Sequence, residues 1–288
     1  MGFTAGGGGD TTARMVARKL SEHLGQPVVV ENRAGASGAI ANELVATSPA
    51  DGYTLLMVTA TATIVSALRA RLPYDLERDF APVSLVVSGP FVLVVHPSVP
   101  VRSAKELIAL ARSQPGKLNY GSTGVGTSTH LAGELLNLMA RVNIIHVPYK
   151  GSADAAVATA AGEIDMSFPS ITAALPLLQA GKFRAIAVTG TKRASLLPLI
   201  PALNESGLPG YDRVTWRGVL APAGVPKNII ARLNEMIRKV INTAEMRASF
   251  GREGMEPHTS TPEEFAAYIH REIAQNAKLI KFAGMKAL

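Results

Sequence analysis

The 288-residue sequence contains no cysteine. Disulfides, cysteine-bound metals, iron–sulfur clusters and thiol nucleophiles are therefore excluded. Aromatic residues are also scarce, at 5% of the chain, and the 29 Lys and Arg residues are scattered rather than gathered into a patch. Nucleic-acid binding needs a basic patch with aromatic side chains that stack on bases, so we expect no nucleic-acid partner.

Long membrane-spanning hydrophobic runs are missing as well. The longest stretch without a charged residue, 82–101, is interrupted by Pro82, Pro90, Pro97 and Pro100, and it predicts two strands and a turn rather than a membrane helix. No basic segment followed by an apolar stretch opens the chain, so the sequence as given predicts no signal peptide. With 47% hydrophobic and 18% charged residues, the chain is expected to fold into about two domains.

Short β-branched or apolar runs alternate with helical patterns along the chain, which predicts an α/β fold with mainly parallel sheets covered by helices. The motif from Ser103 to Glu106 is a capping box that opens one of these helices. The predicted strands are 28–30, 53–58, 83–87, 91–96, 118–120, 144–147, 164–168, 184–188 and 214–220. The predicted helices are 11–24, 39–46, 62–68, 103–114, 129–139, 153–161, 172–180, 228–241 and a long final helix after Thr261.

The order of these elements predicts two lobes. The chain is expected to cross between them near residues 97–100 and again near 220–226. Residues 1–98 and 222–288 then form the first lobe, residues 99–221 form the second, and a ligand cleft lies between the two.

The segment Gly121-Ser-Thr-Gly-Val-Gly-Thr-Ser-Thr-His130 joins a predicted strand to a predicted helix. Its glycines, hydroxyls and free backbone amides at a helix N-terminus are suited to an anion such as a carboxylate. The alternative is a tight connection in which Thr127 or Ser128 only caps the helix. The lysine of a nucleotide-binding P-loop is missing, so ATP hydrolysis is not expected.

Two further loops are candidates for the same edge of the cleft. The glycine run that ends at Asp10 precedes the first helix, and the loop 147–152 follows a strand with Tyr149 as a candidate pocket wall. In parallel sheets, ligands bind at the carboxyl ends of strands. Turn packing is the alternative for Tyr149, and core burial is the alternative for Trp216, the only tryptophan.

Signs of catalysis are weak. Ser128 and His130 are near each other in sequence, but no serine-hydrolase elbow surrounds them. The spacing of His130 and Glu134 suits two metal ligands on a helix, yet local packing is the favoured explanation. We expect no metal, no cofactor and no catalytic residue, and the pattern indicates a small-anion binder.

Several segments together carry a resemblance to a known family over nearly the whole chain. In order they are 6–14, 27–33, 51–55, 72–75, 115–120, 130–134, 146–151 and 221–226, of which His146-Val-Pro-Tyr-Lys-Gly151 and Ala221-Pro-Ala-Gly-Val-Pro226 are examples. The chain resembles the tripartite tricarboxylate transporter solute-binding proteins, often called the Bug family.

The resemblance implies a type II periplasmic-binding fold, with two doubly wound α/β lobes joined by two crossover strands. It also implies a periplasmic monomer that captures a small organic acid and delivers it to membrane permease subunits. On the first loop, it assigns ligand contacts to Phe3, Gly7, Gly8 and Asp10. On the glycine-hydroxyl loop it assigns Ser122, Thr123, Gly124, Thr127 and Ser128, and around the rest of the ligand it assigns Thr59, Ala60, Thr61, Tyr149, Ser170 and Trp216.

The chain departs from the family at two places. Relatives carry a hydrophobic first strand before the first loop, whereas this sequence begins Met1-Gly-Phe3, so most of that strand and a signal peptide are expected to be absent and the first lobe to be less stable. Many relatives also have a polar pair in place of Pro169-Ser170. Loss of a carboxylate there predicts a plain carboxylic acid ligand with no required amino group.

Two other functions stay open from the sequence. One is a small-molecule enzyme that uses Ser128 and His130 in the cleft, which requires the two side chains to lie within hydrogen-bond reach. The other is a ligand-binding component that signals to a sensor instead of feeding transport.

Overall fold

The computed structural model describes residues 1–2, 8–68 and 71–285. None of the helices in these ranges is long and apolar enough to cross a membrane. The helices are α1 (Gly8–Leu24), α2 (Ala39–Ala46), α3 (Ala60–Leu68), α4 (Ala104–Ser113), α5 (Ser128–Ala140), α6 (Ser152–Ala161), α7 (Ile171–Gln179), α8 (Lys227–Ile241), α9 (Ala244–Arg252) and α10 (Pro262–Phe282). The strands are β1 (Leu56–Thr59), β2 (Phe80–Pro90), β3 (Val92–Val95), β4 (Asn119–Ser122), β5 (Ile145–Pro148), β6 (Met166–Ser167), β7 (Arg184–Val188), β8 (Val214–Pro222) and β9 (Glu256–Pro257).

The helices begin where side chains satisfy the free amides of the first turn. Ser103 Oγ accepts a hydrogen bond from the Glu106 amide over 3.2 Å, as the capping box predicts, while the Glu106 carboxylate accepts from the Arg102 amide. At α10, Thr261 and Glu264 cap each other reciprocally. The predicted helices are therefore present, whereas α9 and the short β9, which lie between α8 and α10, were not predicted.

The first sheet has the strand order β1-β8-β2-β9, and its three strand pairings are antiparallel. The expectation of a mainly parallel sheet is wrong here. The sheet is antiparallel because β8 returns from the far part of the chain and lies between β1 and β2. The two strands that flank it are adjacent in the alternating pattern of the sequence, but they do not pair with each other.

The second sheet has the order β5-β4-β6-β3-β7. Strands β5, β4 and β6 are parallel, as predicted, whereas β3 is antiparallel to both β6 and β7. The carboxyl ends of β4 and β6 therefore meet at one edge of the sheet. That edge holds the candidate ligand pocket.

Both passages of the chain between the two sheets lie earlier in the sequence than predicted. Strand β3 already belongs to the second sheet, and β8 already belongs to the first. The passages consequently lie near Phe91 and between residues 188 and 214, not near 97–100 and 220–226. The border near Phe91 runs through uncharged sequence, which carries no charged residue to mark it. The division into lobes at 98/99 and 221/222 remains a prediction.

The predicted strand at 28–30 is not formed. Val29 is 76% exposed, and the Val28 amide donates to the Ser21 hydroxyl. The segment just after it pairs with the start of the chain instead: the Met1 amino group donates to the Glu31 carbonyl, and the Arg33 amide donates to the Met1 carbonyl.

Side chains of β8 alternate between two cores of the first lobe. Trp216 and Leu220 face α2, α3 and α10, whereas Val219 and Ala221 face α1 and α8. A separate apolar cluster joins the lobes, because α5 of the second lobe packs against α3 and α10 of the first. Its buried members are Ile64, Leu68, Leu131, Leu279 and Ile280.

We expect Gly218→Ala to destabilise the protein. A Cβ atom at this position of β8 would collide with the Phe265 ring of α10 and lie 3.1 Å from the Ser84 carbonyl oxygen. Overpacking of this kind costs about 1–3 kcal/mol of unfolding free energy, which urea denaturation measures. Gly251→Ala is the matched control, because nothing lies within 4 Å of a Cβ there. It should leave stability unchanged or raise it by up to ~1 kcal/mol through helix propensity.

Candidate functional site

A small pocket lies at the carboxyl ends of β4 and β6, against the first turns of α5 and α6. Its cavity volume is about 10 Å³, far less than the roughly 300 Å³ at which sites for whole ligands begin, so it suits only one end of a ligand. No charged side chain is among its lining residues in the described ranges. The lining residues are Gly121, Ser122, Thr123, Thr129, Ser152, Ala155, Ser167, Phe168 and Pro169.

The glycine-hydroxyl loop is held by its own side chains. Thr127 caps α5: its hydroxyl accepts from the His130 amide and donates to the Gly124 carbonyl. Gly124 has a φ of 121°, a conformation that favours glycine. The Ser122 hydroxyl accepts from the Gly124 amide over 3.1 Å, which closes the loop. Capping, the alternative offered for Thr127, is therefore a real role of this residue.

The hydroxyls that line the pocket are partly engaged with one another. Thr129 Oγ1 accepts from the Thr123 amide over 2.9 Å and lies 3.0 Å from Thr123 Oγ1. Ser167 accepts from the Thr159 hydroxyl. The sequence analysis named Ser122 and Thr123 but not Thr129, Ser152 or Ser167. Thr129 lies in the glycine-hydroxyl loop, and Ser152 is the first residue of α6. Their positions at helix N-termini could have indicated both residues.

Two histidines form a buried stack directly behind the loop. The rings of His130 and His146 are 3.7 Å apart between centroids and 15° from parallel. His146 Nε2 lies 2.6 Å from Ser122 Oγ, and His130 Nδ1 accepts from the Gly126 amide over 3.1 Å. The second contact requires an unprotonated Nδ1, so the loop geometry needs a neutral His130.

Burial keeps both rings neutral. It lowers the pKa of His130 to about 3, with a smaller contribution from His146, and it lowers the pKa of His146 to about 4. The nearby Glu134 has a raised pKa because it is buried, and it accepts a hydrogen bond from Tyr120 over 2.6 Å. The four side chains form a packed polar support for the loop.

The hydrogen bond between Ser128 and His130 that the enzyme alternative requires is not formed within the described residues. His130 turns its Nδ1 atom to the Gly126 amide, and no hydrogen bond joins it to Ser128. The serine–histidine contact that does exist is Ser122 with His146. In the described part of the chain no carboxylate orients His146, and the Ser122 hydroxyl is also bonded to the Gly124 backbone.

The first loop is described only in part, since Phe3 and Gly7 lie outside the described residues. Gly8 begins α1. Asp10 is buried in the first turn of that helix, where its carboxylate accepts from Asn32 over 2.9 Å and from Arg14 over 3.0 Å. Asp10 thus links α1 to the segment that pairs with Met1.

The other predicted contacts are distributed around the lobes. Thr59 ends β1, and Ala60 and Thr61 begin α3. The Tyr149 amide donates to the Ser122 carbonyl, and its ring lies beside Gly121, although it is not a lining residue of the pocket. Ser170 caps α7 by accepting from the Ala173 amide.

Trp216 lies in the core, which is the alternative that the sequence offered, and it is not a lining residue of the pocket; its contact with the rest of a ligand stays a prediction. The side chain is fully buried, its ring packs edge-on against Phe265 and Tyr268, and its Nε1 donates to Glu272. The residue after it was missed: Arg217 points to the opposite face of β8 and reaches the N-terminus of α1. The register of β8 decides this, and a single sequence does not reveal it.

Known proteins resemble this chain over nearly its whole length. The model of the tripartite tricarboxylate transporter family receptors matches residues 12–285. The chain belongs to this family. Protein BugT of Bordetella pertussis is 35% identical over 286 residues, which cover 99% of this chain and 88% of that protein.

Solved structures of relatives share the fold. An R. palustris protein solved with adipate is 38% identical, with a TM-score of 0.85 and coverage of 100% of this chain and 96% of that one. MatC from Rhodopseudomonas palustris, solved with bound malate, is 29% identical, with a TM-score of 0.80 and coverage of 97% and 96%. The type II periplasmic-binding fold and the Bug-family resemblance are confirmed.

The neutral histidine stack predicts a loss of stability on acidification. Unfolded histidine titrates near 6.5, whereas the folded His130 and His146 take up protons only at about 3 and about 4. The unfolded state therefore binds more protons as the pH falls below 6.5, and the free energy of unfolding decreases from there toward pH 4. Urea midpoints measured from pH 7.5 to 4.5 follow this decrease.

His146→Gln should make the fall of the unfolding free energy with falling pH shallower by up to about 1 kcal/mol per pH unit. The reason is that a shift of one pKa unit corresponds to about 1.36 kcal/mol. His23→Gln, at an exposed histidine, is the control and should keep the slope of the original protein. The raised pKa of Glu134 has the opposite effect, because it stabilises the folded state as the pH falls, and it does so equally in the original protein and in both variants. Equal slopes of unfolding free energy against pH for the His146 and His23 variants would contradict a buried, neutral His146 in the folded protein.

Proposed function

We propose that this protein is a periplasmic solute-binding receptor that captures a small carboxylic acid between two lobes. We further propose that it acts as a monomer and delivers the acid to the membrane permease subunits of a tripartite tricarboxylate-type transporter. Its role is binding without turnover, and the residues assigned to the ligand are those of the two loops and of the first turn of α3.

The observation that carries this proposal is the hydroxyl-lined pocket at the N-termini of α5 and α6. Helix N-termini present amides and a partial positive charge, which favour a carboxylate without help from a charged side chain. Thr123 and Ser152 add hydroxyls at the same place. Family membership and the adipate and malate in the solved relatives support a carboxylate as the ligand.

The wall formed by Phe168 and Pro169 supports an acid without a required amino group. Neither side chain offers an acceptor for an ammonium group, and no carboxylate lines the pocket in the described part of the chain. Adipate, found in a 38% identical relative, has no amino group either. Stronger binding of aspartate or glutamate than of their deaminated analogues would contradict this part of the proposal.

A thermal-shift panel tests the binding function. Mono-, di- and tricarboxylic acids and matched neutral amides are compared, with product analysis of each mixture. Saturation at about 100 times the Kd adds roughly 2.7 kcal/mol to the unfolding free energy, so a bound acid raises the Tm clearly. If the amides raise the Tm and the acids do not, or if product accumulates, the receptor proposal fails.

Thr123→Val should weaken binding of every carboxylic acid by about tenfold, because it removes a hydroxyl that lines the pocket while keeping the shape of the side chain. Isothermal titration calorimetry measures the change. Thr191→Val, at an exposed threonine, is the matched control and should leave the Kd unchanged. Equal affinities for the two variants would place the carboxylate elsewhere.

Deletion of this protein in its host distinguishes transport from sensing. The transport proposal expects uptake of the radiolabelled acid to be lost and to return on complementation. Intact uptake together with a lost transcriptional response to the acid would favour the sensory alternative.

A further inference from the structure

A buried cation beside the N-terminus of α1 is the starting point. The Arg217 side chain leaves the middle of β8 on the face covered by α1 and is only 12% exposed. Its Nη1 donates to Thr12 Oγ1 over 2.8 Å, and a Cβ atom on Gly8 would collide with Nη2. A buried guanidinium is costly unless an anion or several hydrogen bonds compensate for the lost water.

The carboxylate of Glu253 does not supply that compensation. Glu253 Oε2 lies 4.0 Å from Arg217 Nη1, beyond hydrogen-bond distance. Burial lowers the pKa of Arg217 and raises the pKa of Glu253, so for each group burial outweighs their mutual attraction. A guanidinium carries five N–H donors, and among the described residues Thr12 is its one hydrogen-bond acceptor. Donors therefore remain for another anion.

A second unsatisfied group lies next to this cation. Thr59 is directly opposite Arg217 in the pairing of β1 with β8, so both side chains are on the same face of the sheet. Thr59 Oγ1 is buried and has no hydrogen-bond partner in the described part of the chain. Because buried hydroxyls nearly always have a partner, a ligand oxygen is a suitable acceptor for it.

The donors fit a carboxylate. A planar guanidinium fork matches the two oxygens of a carboxylate, and a hydroxyl adds a third donor. This site differs in kind from the pocket of the second lobe, which has no charged lining residue in the described ranges and holds one end of a ligand. A charged site in one lobe and a neutral site in the other can therefore recognise the two ends of one acid.

Resting on the proposed function, we propose that Arg217 and Thr59 hold the second carboxylate of a dicarboxylic acid whose first carboxylate occupies the pocket of the second lobe. Arg217 is then the residue that makes the receptor prefer diacids to monoacids. The residue that follows the buried Trp216 in β8 then sets the specificity for diacids.

Calorimetry with paired ligands tests this inference. Each diacid from succinate to pimelate is compared with the monoacid of equal chain length, for example adipate with hexanoate. The original protein should bind its best diacid at least about tenfold more tightly than the matching monoacid. Arg217→Gln should lose that advantage by weakening the diacid alone, whereas Arg217→Lys, which keeps the charge, should retain part of it.

Two further variants separate recognition from a structural role. Arg252→Gln removes an arginine at the end of α9 and should change neither Kd. Thr59→Val keeps the shape of the side chain and should weaken the diacid several-fold with the monoacid unchanged. If the Arg217 variants do not fold, as judged by circular dichroism and Tm, the Thr59 variant decides the question.

The outcomes separate this inference from the function on which it rests. An unchanged diacid preference in folded Arg217→Gln, or equal losses for both acids, would overturn the role of Arg217. Equal binding of diacids and monoacids by the original protein would also overturn it and leave the receptor function intact. If no acid of either kind binds, the proposed function fails first.

Discussion

The architecture depends on the insertion of β8 between β1 and β2. This strand comes from beyond the second lobe, yet it lies inside the first sheet and pairs with a strand on each side. Because successive side chains of a strand point to opposite faces, two adjacent residues of β8 make contacts on opposite sides of the sheet. Trp216 packs α10 onto the sheet, and Arg217 reaches the N-terminus of α1. The same strand therefore joins the lobes, completes a core and carries a buried cation to the N-terminus of α1.

In the proposed binding mode, the two lobes recognise an anion by different physical means. The second lobe uses helix N-termini and hydroxyls, held in place by Thr127, Ser122 and a neutral histidine stack. Such a neutral site binds a carboxylate without a buried charge of its own. The first lobe holds a guanidinium that its neighbours satisfy only in part. In the proposed binding mode, a ligand that bridges both sites compensates this cation.

Much of the local structure follows from sequence pattern, and the errors share one origin. Capping residues, glycines and helical periodicity predicted the helices to within a few residues, and the strand 184–188 was predicted with its bounds. The missed α9 and β9 are short, so their periodicity is weak. The parallel first sheet, the strand at 28–30 and the points where the chain passes between sheets were wrong, because each depends on which distant segment pairs with which.

The sequence by itself determined the α/β class, the family, the glycine-hydroxyl loop and the absence of a nucleotide-binding lysine, since these rest on local composition and spacing. Tertiary structure alone decided that Trp216 is a core residue and that Arg217 reaches the N-terminus of α1, that His146 supports Ser122, and that Asp10 is held by Asn32. A one-residue shift in the register of β8 would exchange the first two roles. Register and long-range pairing are set by the packing of whole lobes, which a single sequence does not display.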